Sequence, residues 1–141
     1  MFTYLFRKIG FGIPVINLTI ASLILYFAFI CWIIIEADRG ELNFFIENVR
    51  SIPYGDKIGH VIIYALLAFL LSITLSGTSK RLTATFFKLP VGCLIVLVFA
   101  FIEELTQVFF ATRTLDVGDI AADVIGVYVA SVVLSIRNRK Q

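Results

Sequence analysis

Four apolar runs dominate this chain, and each is too long for the core helix of a small soluble domain. They extend from about Phe11 to Ile35, Ile58 to Leu75, Leu89 to Phe110 and Val117 to Ile136. A run of about 18 or more apolar residues matches the hydrocarbon thickness of a bilayer. Inside lipid the backbone must satisfy its own hydrogen bonds, so each run is predicted to be a helix. Composition agrees: 60% of the 141 residues are hydrophobic and the mean hydropathy is +0.97. Soluble domains are about 45–50% apolar, so one small core could not bury this much. The expectation is a single all-α domain over residues 1–141, an integral membrane four-helix bundle. Arg7 and Lys8 precede the first run as they would in a signal peptide. The run exceeds an h-region, however, and "CWIIIEADRG" offers no small-x-small cleavage site, so it reads as an uncleaved anchor.

The formal charge of +2 says little as a total, but its placement says more. Basic residues concentrate at Arg7 and Lys8, at Lys80, Arg81 and Lys88, and at Arg137, Arg139 and Lys140. They bracket apolar runs instead of sharing a polar face, which argues against nucleic acid as a partner and for a topology signal. Both termini and the "SGTSKRLTATFFK" loop are therefore expected in the cytoplasm, the chain being a multi-pass membrane protein. Arg39, Arg50, Lys57 and Arg113 are a minority on the extracytoplasmic side. All ten Asp and Glu residues then fall outside or near the outer helix ends, with Glu36, Asp38, Glu41, Glu47 and Asp56 in the first outer loop. In that loop, "ELNFFIENVRSIPYG" repeats Leu42, Phe45, Ile46 and Val49 at helical spacing. This predicts a short amphipathic helix, lying on the outer leaflet or packed over the bundle. "PYG" supplies a turn, and Asp56 is placed to cap the second span. Cys31 and Cys93 sit in apolar runs and read as packing residues. Asn17 and Pro14 mark a kink or interhelical bond, Trp32 and Tyr54 interface anchors, and Gly126 close helix packing.

Polar residues inside such runs are the candidate site. His60 and Tyr64 are one turn apart on the second span. Glu103 or Glu104 shares a face with Gln107 on the third, and Asp116, Asp119 and Asp123 form one stripe on the fourth. A rise of about 1.5 Å per residue places His60, Gln107 and Asp119 near the outer boundary. Tyr64, Glu103/Glu104 and Asp123 come out roughly 6–9 Å deeper. Ionisable groups in lipid cost about 2.5–3.5 kcal/mol each. The carboxylates therefore need protons, a cation, or partners among Arg113, Lys57 and His60. Arg113 is expected to pair with the aspartate stripe. A network that only fixes helix packing is the plain alternative.

"DKIGHVIIYALLAF" and "EELTQVFFATRTLDVGDIAADVIG" together resemble the VanZ-like family of small integral membrane proteins. That family's pattern is D-K-x-x-H-x-x-x-Y, then E-x-x-Q, an Arg, and D-x-x-D-x-x-x-N-x-x-G. Asp56, Lys57, His60 and Tyr64 fit the first block. Glu104, Gln107, Arg113, Asp116, Asp119 and Gly126 fit the second, and the two blocks cover about half the chain. Asp123 stands where the family usually carries Asn, adding a negative charge. The resemblance implies a place in the inner (plasma) membrane of a bacterial cell and a cell-envelope role, the family being linked to teicoplanin resistance, more strongly than it implies a reaction. The lone D-x-x-x-D of Asp119 and Asp123 also occurs in CDP-alcohol phosphotransferases, whose upstream elements are absent.

Three functions follow as expectations. The first is an outward-facing polar pocket engaging membrane lipids, a lipid-linked envelope precursor or a peptidoglycan-related headgroup. In it Arg113 and Lys57 meet an anionic group while Glu104, Asp119 and Asp123 orient hydroxyls, amines or a cation. The second is a metal-assisted hydrolase or transferase on a lipid headgroup. Here Glu104, Asp119 and Asp123 would ligate a divalent Mg or Mn ion, and His60 would move protons. No H-E-x-x-H spacing and no nucleophile accompany them. The third is a small transporter, which four spans and the lack of a cytoplasmic carboxylate disfavour.

Overall fold

The computed structural model describes residues 12–41, 43–78, 83–84 and 89–139. In chain order it has α1 (Gly12–Arg39), α2 (Phe44–Ser51), α3 (Gly55–Thr78), β1 (Thr83–Ala84), β2 (Leu89–Pro90), α4 (Val91–Thr106) and α5 (Val117–Arg139). A 3-10 turn, Gln107–Phe109, continues α4. The four long helices contain apolar stretches of 19 to 23 residues, enough to cross a membrane. The chain is a mostly helical, multi-pass membrane protein. The basic residues Arg7, Lys8, Lys80, Arg81, Lys88 and Lys140, on which its expected orientation largely rests, lie outside the described residues, as does Phe11.

Helix ends differ from the apolar run ends for a physical reason. The charges of "EADR" end the hydrophobic run, but Glu, Ala and Arg are good helix formers, so α1 continues to Arg39. Glu36 and Asp38 are thus helical and not part of the loop. Likewise α3 begins at Gly55, which puts Asp56 inside the first turn and not ahead of it. Pro14 falls in the first turn of α1, where its missing N–H is no loss; Asn17 is exposed. Pro90 stands at the N-cap of α4, so Leu89 lies in a two-residue antiparallel ladder with Ala84 instead of in the helix. This small ladder is a departure from the all-α expectation.

Between α1 and α3 the chain makes a tight corner. Asn43 caps α2 by accepting from the Phe45 and Ile46 amides at 3.1 and 3.0 Å. Tyr54 then takes a positive φ of 57°, rare for a bulky residue, and the Gly55 amide donates to the Ile52 carbonyl at 2.8 Å. A Cβ on Gly55 would fall 1.9 Å from the Val49 carbonyl oxygen, so only glycine fits between the two helices.

Helix α3 is the hub, packing against α1, α4 and, most extensively, α5. The α3–α5 approach is close because Gly126 faces backbone: a Cβ there would lie 2.5 Å from the Val61 carbonyl oxygen. Small residues fill the interior, with Ala68, Cys93, Ala100 and Ala130 all buried. Large ones such as Leu25, Phe101, Ile125 and Tyr128 face outward. That distribution suits a protein whose solvent is lipid and whose helices meet through small side chains. Cys31 and Cys93 are unpaired, the latter 3.6 Å from the Ser72 hydroxyl. Helix α1 is peripheral: 6% of its apolar stretch is buried, against 39% for α4.

Candidate functional site

The start of α3, the end of α4 and the start of α5 meet at one end of the bundle, and the polar residues gather there. Lys57, in the first turn of α3, is the centre of one group. Its ammonium donates to Asp56 Oδ2 at 3.0 Å, to Asp119 Oδ1 at 2.7 Å and to Asp116 Oδ2. Asp116 precedes α5 and caps it, its Oδ1 accepting from the Gly118 amide at 2.7 Å. The Lys57 ammonium, and then that amide, hold the Asp116 carboxyl below its usual range.

One turn further along α3, His60 Nδ1 lies 2.8 Å from Asp123 Oδ1 and 3.6 Å from Glu104 Oε1. Glu103 anchors a third group. It accepts long bonds from the Tyr64 hydroxyl (3.4 Å), Gln107 Nε2 (3.5 Å) and Arg113 Nη2 (3.4 Å). The other arm of Arg113 reaches Asp38 Oδ1 at 3.5 Å, and the Thr112 hydroxyl donates to the Asp38 carbonyl at 2.6 Å.

The eleven residues singled out in the sequence, Asp56, Lys57, His60, Tyr64, Glu103, Glu104, Gln107, Arg113, Asp116, Asp119 and Asp123, therefore stand in three adjoining groups. Lys57 and His60 pair with the aspartate stripe, as two of the three expected partners, whereas Arg113 does not. Lys57, and not Arg113, serves Asp116 and Asp119; Arg113 turns away to Glu103 and Asp38 because the chain reverses at Ala111–Thr112. His60 contacts the Asp123 level and not the Asp119 level alone, since backbone rise does not fix where a long side chain reaches. Glu103 and Glu104 are both buried, the first against Tyr64 and the second against His60, where the spacing left one of them as the inward residue. Asp38 was missed outright. Its signal was the helix-forming "EADR" segment, which carries α1 on to meet Arg113.

The donor set is unusual in what it leaves unsatisfied. Seven carboxylates (Asp38, Asp56, Glu103, Glu104, Asp116, Asp119, Asp123) share Lys57, Arg113 and the His60 imidazole. Glu104 is 0% exposed, and both of its carboxylate oxygens, like Asp123 Oδ2, are buried without a hydrogen-bond partner. Single donor atoms of His60, Glu104 and Asp119 lie within 4.8 Å of one another, as do those of Asp56, Asp116 and Asp119. Among the described residues these two trios are the sets able to hold a metal ion.

Beside the cluster runs a cleft of about 1040 Å³ between α1, α2 and α3. Tyr26, Ile30 and Ile33 of α1 and Ile58, Ile62 and Leu66 of α3 form apolar walls, and Arg50 of α2 lies along it. Its polar end is made by His60, Gln107, Arg113 and Asp119.

Fold and site together define a class: a multi-pass helical membrane protein with an acidic, cation-bridged cluster at one end of the bundle and an apolar cleft leading to it. Compared with family models, with curated proteins and with solved structures, the chain matches none.

Proposed function

We propose that the chain is a VanZ-like protein of the bacterial plasma membrane, with both termini cytoplasmic, whose extracytoplasmic cleft binds an envelope lipid or a lipid-linked, peptidoglycan-related precursor. The observation that carries this reading is the continuity of one cleft from apolar walls to a polar end. Ligand sites are concave, mostly apolar and tipped with a few convergent polar groups, and an amphiphile has that same division. Acyl chains lie along Ile30, Ile33 and Ile62, and the headgroup meets His60, Gln107 and Arg113. Helix α2, with Phe44 and Phe45 exposed, rests on the outer leaflet and adds Arg50 to the headgroup end. The cell-envelope assignment draws on the VanZ-like motif residues from Asp56 to Gly126.

Native mass spectrometry of the detergent-purified protein tests this. Wild type is expected to carry a co-purified envelope lipid, and Ile62→Trp, which fills the cleft without touching the polar cluster, is expected to lose it while staying folded. Folded wild type that is consistently lipid-free would refute the reading. Unchanged glycopeptide sensitivity on deletion in a responsive host would remove the envelope assignment.

A further inference from the structure

We propose that His60, Glu104 and Asp119 bind one divalent metal cation at the polar end of the cleft, with Asp123 holding the imidazole in place. The first observation is geometric. One donor atom from each of the three lies within 4.8 Å of the others. Two ligands of a single ion, each about 2.0–2.2 Å from it, stand about 3–4.4 Å apart, so small side-chain rotations close the trio on an ion.

The second observation is independent of spacing. Glu104 is fully buried and neither carboxylate oxygen has a hydrogen-bond partner. A charged carboxylate in that position has been stripped of water with nothing in return. Protonating it removes the charge but leaves its O–H without an acceptor, because His60 Nδ1 is 3.6 Å away. A cation answers both problems, since it neutralises the charge and coordinates the bare oxygens. With His60 Nε2 as the ligating nitrogen, Nδ1 keeps its proton and donates to Asp123 Oδ1 at 2.8 Å, the arrangement by which carboxylates orient metal-bound histidines. The two permanent cations are already engaged, Lys57 by three carboxylates and Arg113 by two. Neither can approach Glu104 without abandoning those partners.

The donor set indicates the ion. One imidazole nitrogen among carboxylate oxygens suits Mn²⁺ or Zn²⁺ better than Mg²⁺ or Ca²⁺, which prefer oxygen alone. The ion also settles how an acidic cluster could receive an anionic headgroup. His60 and Asp119 line the cleft, so a phosphate oxygen entering there completes the ion's coordination instead of meeting bare carboxylates. This last step rests on the lipid reading; the ion site does not.

The test uses full-length protein in lipid-free detergent, stripped with a chelator and titrated with MnCl₂ or ZnCl₂ alone. Loss of the free Mn²⁺ paramagnetic resonance signal gives stoichiometry, and the unfolding midpoint gives linkage. Wild type is expected to bind one ion and to unfold several degrees higher with either metal. Glu104→Gln and His60→Gln should weaken binding at least about tenfold, whereas Asp56→Asn, which alters only the other trio, should leave it intact. Folded wild type that binds neither metal, with an unmoved midpoint, overturns the proposal without recourse to any variant. Binding that survives Glu104→Gln but not Asp56→Asn also overturns it, by moving the ion to the Asp56, Asp116 and Asp119 trio. Loss of lipid from Ile62→Trp has no bearing on this outcome, and metal binding in a protein that never carries lipid would sink the lipid reading alone.

Discussion

Gly126→Ala is the sharpest single test of how this bundle is held together. The new Cβ would sit 2.5 Å from the Val61 carbonyl oxygen and 3.1 Å from the Ala65 amide nitrogen. Both neighbours are backbone of α3 and cannot rotate aside. Ordinary contact begins near 3.4 Å, so α3 and α5 must part by about 0.9 Å, an overpacking that costs about 1–3 kcal/mol. The same movement acts on the site, because His60 adjoins Val61 and Asp123 lies one turn before Gly126. It lengthens the His60–Asp123 contact from 2.8 Å to about 3.7 Å, beyond hydrogen-bond range. Losing a charge-assisted bond removes about 1.5–3 kcal/mol more, while alanine returns about 1 kcal/mol of helix propensity. The net expectation is a destabilisation of about 1.5–5 kcal/mol. Gly59→Ala is the matched control: its Cβ would meet Val49 Cγ1 at 3.6 Å, an ordinary contact, and should be neutral or stabilising by up to about 1 kcal/mol. Reversible unfolding in mixed micelles, followed by Trp32 fluorescence, measures both. If Gly126→Ala proved as stable as Gly59→Ala, the close backbone approach of α3 and α5 would be wrong.

Lys57→Met removes the shared cation of Asp56, Asp116 and Asp119 and should destabilise by about 1–3 kcal/mol, with Lys57→Arg recovering most of the loss in the same unfolding assay. Asp116 gives a pH signature. Its folded-state pKa lies below the ordinary 3.8, so its stabilisation is complete above the carboxylate range and is lost as pH falls through the depressed value. Between about pH 5 and 3 the unfolding midpoint of wild type should therefore fall more steeply than that of Asp116→Asn, which keeps a capping oxygen; parallel slopes would contradict the Lys57–Asp116 pairing. The proposed topology predicts that, in a background lacking Cys31 and Cys93, Ser51→Cys reacts with a membrane-impermeant maleimide in intact cells and Arg137→Cys reacts after lysis alone. The reverse pattern would invert the orientation.

The four spans were legible because hydropathy over about 18 residues is a direct physical requirement of the bilayer. The polar cluster was legible for the complementary reason: charge inside such a run is costly enough to need partners, so Lys57, His60, Glu104 and Asp123 stood out without any fold. Gly126 could likewise be read as a packing residue. Who pairs with whom could not be read. Arg113 is three residues from Asp116 in sequence, yet the reversal at Ala111–Thr112 aims it at Glu103 and Asp38. Neighbouring Glu103 and Glu104 point about 100° apart on one helix, and only the packing of α3 and α5 around α4 shows that both directions are interior. Asp38 was hidden because hydropathy marks where lipid ends, and the helix outlasts it. A polar pocket was expected from the polar residues, but its apolar extension was not, since that is a space between α1, α2 and α3 and no residue pattern encodes a gap.

The peripheral seat of α1 carries a consequence for traffic. Its polar attachments along the cleft are at Tyr26, whose hydroxyl donates to the Ile63 carbonyl at 3.2 Å, and at Asp38 beside Arg113. Between those points α1 offers the cleft only Phe29, Ile30, Ile33, Ile34 and Ala37. In a bilayer, hydrocarbon replaces hydrocarbon at almost no free-energy difference, so if the cleft takes a lipid as proposed, its acyl chains would enter sideways through that seam without breaking a polar bond. On the proposed lipid reading the α1–α3 seam would be a lateral doorway, latched at both ends by the Tyr26 and Asp38 contacts and lined between them by apolar side chains.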